Sequence, residues 1–153
     1  MKIIDIFRKE YIIEELKAKT KRDVLAELSG VIRSEDSAIN HELIVNTLLD
    51  REKLGSTGIG DGIAIPHGKL ADLGELIVSF GRSREGVEFD SMDGKPANLF
   101  FLLLAPENTT GVHLKALAKI SKMLKDSAFR KKLIDAKSKD ELYVIISDKD
   151  DAS

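Results

Sequence analysis

Residues Glu52–Lys69 read E-K-L-G-S-T-G-I-G-D-G-I-A-I-P-H-G-K and divide the chain, with helical periodicity before them and strand-like runs after. Gly55, Gly58, Gly60 and Gly62 precede an apolar triplet, Ile63-Ala64-Ile65, and then Pro66-His67. Glycine admits positive φ and close backbone approach, so the consecutive amides of such a loop can turn inward as an anion-binding nest. The triplet favours a short buried strand that would fix the histidine's position. A nucleophilic imidazole beside an oxyanion cradle is what reversible phosphorylation of a histidine requires.

Upstream, Thr20 is placed to cap a helix carrying Val24, Leu28, Val31 and Ile32, and Asn40 to cap a second carrying Leu43, Ile44, Leu48 and Leu49, with Gly55 ending it. Met1–Phe7 reads as a short helix and Tyr11–Ile13 as a short strand. Downstream, strands are expected at Ile63–Ile65, Leu76–Phe80 and Leu99–Leu104, with an edge at Val87–Phe89. Leu99-Phe100-Phe101-Leu102-Leu103-Leu104 has no polar alternation and predicts a strand covered on both faces. Helical segments follow from His113, around Phe129, and behind the capping box Ser138-x-x-Glu141. Residues 148–153 read as a frayed polar tail. Helix pairs bracketing a strand block predict an α/β fold with helices on both faces of a sheet, in one domain spanning residues 1–153.

Common glycine motifs fail on spacing. A Walker A loop needs four residues before its Gly-Lys-[Ser/Thr], whereas five separate Gly62 from Gly68, and Leu70 follows Lys69. Gly55-x-x-Gly58-x-Gly60 reverses the dinucleotide fingerprint and precedes a strand where that fingerprint follows one. His41-Glu42 begins a zinc-protease pattern that ends in Val45, and three histidines without a cysteine argue against a structural zinc site, so no metal and no cofactor are expected.

What remains resembles the phosphorylation-site region of the fructose/mannitol-type IIA components (type-2 IIA domains) of the bacterial sugar phosphotransferase system. That pattern runs acidic or amide residue, six spacers, apolar, small, two spacers, apolar-Ala-apolar-Pro-His-small. Glu52, Ile59, Gly60, Ile63, Ala64, Ile65, Pro66, His67 and Gly68 satisfy every position. Gly111-Val112-His113-Leu114 resembles the family's second histidine region, so the likeness extends from the amino-terminal segment through the last helix. The resemblance implies a three-layer α/β/α fold with a small mixed β-sheet. It also implies a phosphoryl group accepted from phospho-HPr on His67, at Nε2, and passed to a IIB component. Gly68-Lys69 resembles the nitrogen-regulatory branch of the family slightly more than the fructose branch.

His67 is therefore the candidate nucleophile, its neutral imidazole offering one lone pair. Arg51 is the candidate phosphoryl clamp, since a guanidinium supplies fixed, permanently charged donors; as an alternative it complements the end of its helix. His113 is the candidate second donor, or else a helix-start residue facing water. Ser56, Thr57 and Gly58 are the candidate phosphate-binding loop, with turn-stabilising bonds an equally good account of the two hydroxyls. A net charge of −2 argues against a nucleic-acid partner, and the longest apolar run, Leu99–Ala105, falls far short of the roughly 18 residues of a membrane span. A cytoplasmic location is expected. Three functions fit the sequence: a sugar-uptake phosphocarrier, a regulatory protein controlled by its phosphorylation state, and an anion-binding sensor in which His67 is only a contact.

Overall fold

The computed structural model describes residues 1–32, 39–109 and 111–153. A single 3-10 turn (Ile3–Asp5) leads into strand β1 (Phe7–Ile13), where the sequence suggested a helix and a shorter strand. Helices α1 (Lys21–Gly30) and α2 (His41–Lys53) follow, each opened by the expected side chain. Thr20 Oγ1 accepts from the Asp23 amide at 3.2 Å and Asn40 Oδ1 from the Leu43 amide at 3.0 Å, satisfying donors that a helix start leaves open. Gly55 leaves α2 at φ +144°.

Three short strands come next, β2 (Gly58–Gly60), β3 (Ile63–Ala64) and β4 (His67–Leu70), then two long ones, β5 (Ile77–Val87) and β6 (Ala97–Pro106). Helices α3 (Gly111–Leu124), α4 (Ser127–Asp135) and α5 (Lys139–Ala152) complete the chain. The sheet order is β1-β5-β6-β3-β2, and β4 continues the line of β3 along β6. β1 runs parallel to β5, and β3 and β4 parallel to β6, while β5–β6 and β2–β3 are antiparallel. The sheet is mixed, as expected.

The uniform apolar run lies in β6 and is covered on both faces. Leu99, Phe101, Leu103 and Ala105 pack with Ala116, Ile120, Phe129, Leu133, Leu142 and Ile146 of α3, α4 and α5. Phe100, Leu102 and Leu104 face the opposite way, against Val24, Leu25, Leu28, Ile44 and Leu48 of α1 and α2. Period-two alternation within one strand thus builds both cores of a three-layer α/β/α fold. Each buried Leu or Phe contributes about 1.5–3 kcal/mol.

Two expectations are corrected. Val87–Phe89 is not a separate edge strand: β5 runs unbroken past Phe80, and Val87 pairs with Ala97. Residues 148–152 are not frayed but form the last turns of α5. Asp150 is fully buried there, 2.7 Å from Lys119 Nζ, and its carboxylate accepts from the Ile4 amide at 3.1 Å. An interior cation and an amino-terminal amide hold a segment whose composition looks solvated.

Candidate functional site

His67 opens β4 immediately after a break in the ladder. Pro66 has no N–H to pair, but its carbonyl accepts from Leu103 N at 3.0 Å, while Ile65 N turns away to the Thr57 carbonyl at 3.1 Å. His67 stands in register with Leu103 and so lies on the sheet face covered by α3. Gly68 lies on the other face, where an added Cβ would come within 3.2 Å of Thr47 Cγ2 on α2. His113 sits in the first turn of α3, only 9 % exposed. The two imidazoles meet with ring centroids 5.8 Å apart and planes inclined by 48°. Residues 46 positions apart in the sequence are thereby brought side by side.

The protonation pattern of His67 follows from one bond. Its Nδ1 lies 2.8 Å from the Ile65 carbonyl oxygen. A carbonyl can only accept, so Nδ1 carries the hydrogen and Nε2 keeps the lone pair. Burial lowers the His67 pKa below its ordinary value of about 6.5. The Ile65 bond raises it, the charge of Arg51 lowers it and that of Glu52 raises it, with burial the largest cause and the net direction downward. His113 is also lowered, by burial first, then by His67 and Lys69. Its Nε2 is buried without a hydrogen-bond partner among the described residues. Such a group loses free energy until something polar reaches it.

Arg51, in the last turn of α2, donates from one terminal nitrogen to the Gly55 carbonyl at 2.8 Å. The remaining donors of its fork make no further bond among the described residues. Its charge is felt at His67.

The glycine-rich stretch is largely regular structure. It folds into the β2–β3 hairpin, with Asp61 at φ +57° and Gly62 at φ +76° making the turn. Most donors of the three candidate phosphate-binding residues are bonded internally. Ser56 Oγ donates to the Phe89 carbonyl and accepts from the Gly58 amide at 3.0 Å. The Thr57 amide donates to Glu52 Oε1 at 3.1 Å, and its hydroxyl donates to Glu52 Oε2. Gly58 is glycine for a different reason: a Cβ there would lie 2.5 Å from Ser91 Oγ. The two hydroxyls and the Thr57 and Gly58 amides are thus engaged within the protein. Ile59, between these glycines, is 44 % exposed, and Leu54, Val112 and Leu114 are also exposed.

Glu52 satisfies the sequence pattern, but the pattern does not say what it holds. Its carboxylate is buried against Lys21 Nζ at 3.2 Å, and Lys21 also reaches Asp90 at 3.1 Å and lies over the Phe89 ring. Nothing in the sequence around Lys21 signals this partnership.

A mixed sheet between two helical layers, with one tautomer-fixed histidine facing a second at a helix start, defines a candidate histidine phosphocarrier. The sequence matches the family described as "Phosphoenolpyruvate-dependent sugar phosphotransferase system, EIIA 2" over residues 5–149, and the chain belongs to that family. It is 41 % identical over 147 residues to a nitrogen regulatory protein of Bradyrhizobium diazoefficiens, covering 96 % of this chain and 95 % of the relative. It is 39 % identical over 150 residues to a fructose-specific EIIABC component of Bacillus subtilis, covering 98 % of this chain but 24 % of that longer protein. The crystal structure of nitrogen regulatory protein IIA-Ntr from Neisseria meningitidis superposes with a TM-score of 0.86 at 37 % identity, covering 93 % of this chain and 97 % of that one. No helix among the described residues is long and apolar enough to cross a membrane.

Proposed function

We propose that this chain is a phosphocarrier that accepts a phosphoryl group from phospho-HPr on Nε2 of His67 and passes it to a IIB component. The observation that carries the reading is the Nδ1–Ile65 bond, which leaves the Nε2 lone pair on a ring held beside the unpartnered Nε2 of His113. In the transfer, the Nε2 lone pair forms the new N–P bond as the donor's N–P bond breaks, and that electron pair stays on the donor imidazole. Nδ1–H remains bonded to Ile65, so no proton has to leave His67. Phosphoryl transfer depends mainly on positioning and on charge stabilisation. Arg51 and a donor N–H on His113 supply the latter, aided by the α3 amino terminus. The exposed apolar side chains Leu54, Ile59, Val112 and Leu114 suit a protein partner that must bring its own phosphohistidine in line.

A regulatory reading is favoured by one observation: a relative matched at 41 % identity over 95 % of its own length is a nitrogen regulatory protein. In that reading the same phosphohistidine changes which partners are bound. Incubation with phospho-HPr should label wild type and leave His67→Ala folded but unlabelled; equal labelling of the variant rejects His67 as the acceptor. Chasing the labelled protein with IIB candidates separates the two uses, since rapid discharge to a IIB supports sugar uptake and a stable phosphoprotein with altered partner binding supports regulation.

A further inference from the structure

The last turn of α2 places two neighbouring side chains to different ends. Arg51 bonds the exposed Gly55 carbonyl, whereas the carboxylate of Glu52, 3 % exposed, is taken into the protein. A buried carboxylate is costly unless paired and fully hydrogen-bonded. Glu52 meets that demand with the Thr57 amide, the Thr57 hydroxyl and the Lys21 ammonium. Each partner leads elsewhere. Lys21 opens α1 and bridges to Asp90 in the β5–β6 connection. Thr57, itself buried, accepts through its carbonyl from the Ile65 amide at 3.1 Å. Ile65 in turn accepts through its carbonyl from Nδ1–H of His67 at 2.8 Å. An unbroken run of bonds thus joins the carboxylate to the group that fixes the imidazole: Glu52 to Thr57, Thr57 to Ile65, Ile65 to His67.

We propose that Glu52 is a positioning residue for His67, holding Thr57 and through it the Ile65 carbonyl that keeps the hydrogen on Nδ1 and the lone pair on Nε2. Its action is indirect: the path to the ring passes through two backbone carbonyls. Losing the carboxylate releases Thr57 and leaves Lys21 with Asp90 alone, so the Ile65 carbonyl loses its backing and the imidazole becomes free to rotate and to exchange tautomers. The charges facing His67 are Arg51, which disfavours its protonated form, and Glu52, which favours it; His113 faces it as a neutral ring. Removing Glu52 therefore also tips the ring further from protonation and weakens its lone pair as a nucleophile.

The inference rests on the reading that His67 carries the phosphoryl group, so its test uses readouts that need no phosphorylation. Nitrogen-15 NMR of the His67 ring reports tautomer and pKa directly in the whole protein. Wild type should show a single Nδ1–H tautomer. Glu52→Ala should show a mixture, a lower His67 pKa, and single-turnover acceptance from phospho-HPr slower by about 10–100-fold, the range known for partners one layer behind metal-bound histidines. Glu52→Gln, which keeps an oxygen for the Thr57 amide but not the charge, should retain the tautomer, recover most of the rate and still lower the pKa. Thr57→Val, which loses only the hydroxyl bond, should move the same signals part of the way and serves if Glu52→Ala does not fold. A wild-type tautomer in folded Glu52→Ala, or in Thr57→Val where Glu52→Ala does not fold, would overturn the proposal. A wild-type protein that takes no phosphate would overturn the phosphocarrier reading instead, with the ring signals still judging Glu52.

Discussion

The β2–β3 hairpin and the corner where β4 meets α3 answer the same chemical question in opposite ways. At the hairpin and its approach, the Ser56 and Thr57 hydroxyls and the Thr57 and Gly58 amides are bonded within the protein. At the corner, Nε2 of His113 is buried with no partner, and Nε2 of His67 holds an uncommitted lone pair. Glycine density marks where the backbone has to turn sharply and pack closely. Binding capacity is marked by polar groups that folding leaves unmet. On the proposed reading, the hairpin is the support and the corner is the site.

The largest effect that sharpens this contrast is expected at the corner. Arg51→Ala and His113→Ala should each slow single-turnover phosphate acceptance by about 10²–10³-fold, the cost of losing one preorganised donor to developing charge, while His67 remains the labelled residue. Unchanged rates in both would reduce Arg51 to a helix-end cation and His113 to packing. In the hairpin, Ser56→Ala should leave the acceptance rate within a few-fold and lower stability by about 1 kcal/mol, the net worth of a buried hydrogen bond. A rate loss as large as that of Arg51→Ala would return the hairpin to the site.

The smallest effect is the pH dependence. Phosphate acceptance should fall as pH drops through the lowered pKa of His67, because only the neutral ring has a lone pair at Nε2. On stability, the unfolded chain binds a proton near pH 6.5, where the folded protein still resists it. Stability should therefore rise with pH between the lowered folded value and about 6.5, be complete above that window, and carry a constant deficit below both values. Urea midpoints across this range, compared with His113→Gln, test it: the variant should show a shallower rise because one of the two buried neutral rings is gone. A steeper rise would contradict the burial argument.

Legibility in the sequence followed the physical source of each feature. Thr20, Asn40 and Ser138 announced their helices because a cap is a local bond, made within three residues. The run from Leu99 to Leu104 announced the central strand because burial on both faces leaves no room for polar alternation. The outer half of β5 was hidden by Arg82 and Arg84, which look like the end of a strand. Arg82 is in fact fully buried and donates to the carbonyls of Leu133 and Ala136 at 2.8 and 2.7 Å, where α4 ends. A helix carboxy terminus accepts such a cation, but that helix lies some fifty residues on, beyond any local pattern. The buried last turn at Asp150 was hidden for the same reason. His67, His113 and Arg51 were visible as residue types in a pattern, whereas for Ser56 and Thr57 the sequence left internal bonds and phosphate binding equally open, since the choice depends on the Glu52 carboxylate and the Phe89 carbonyl meeting them in space.

Gly68 bears on a different matter, the tolerance of this segment to insertions and deletions. A strand has two sides, and a slip of one residue exchanges them. Were β4 to shift by one place along β6, the imidazole would move to the α2 side, into a space where even a methyl group would crowd Thr47 and touch Leu48. The missing side chain at position 68 therefore keeps the strand in step, since the shifted alignment has nowhere to put the ring. Changes in chain length should be accepted in the turn between β4 and β5 and refused between Pro66 and Gly68, where one added residue would turn the histidine to the wrong side of an otherwise intact sheet.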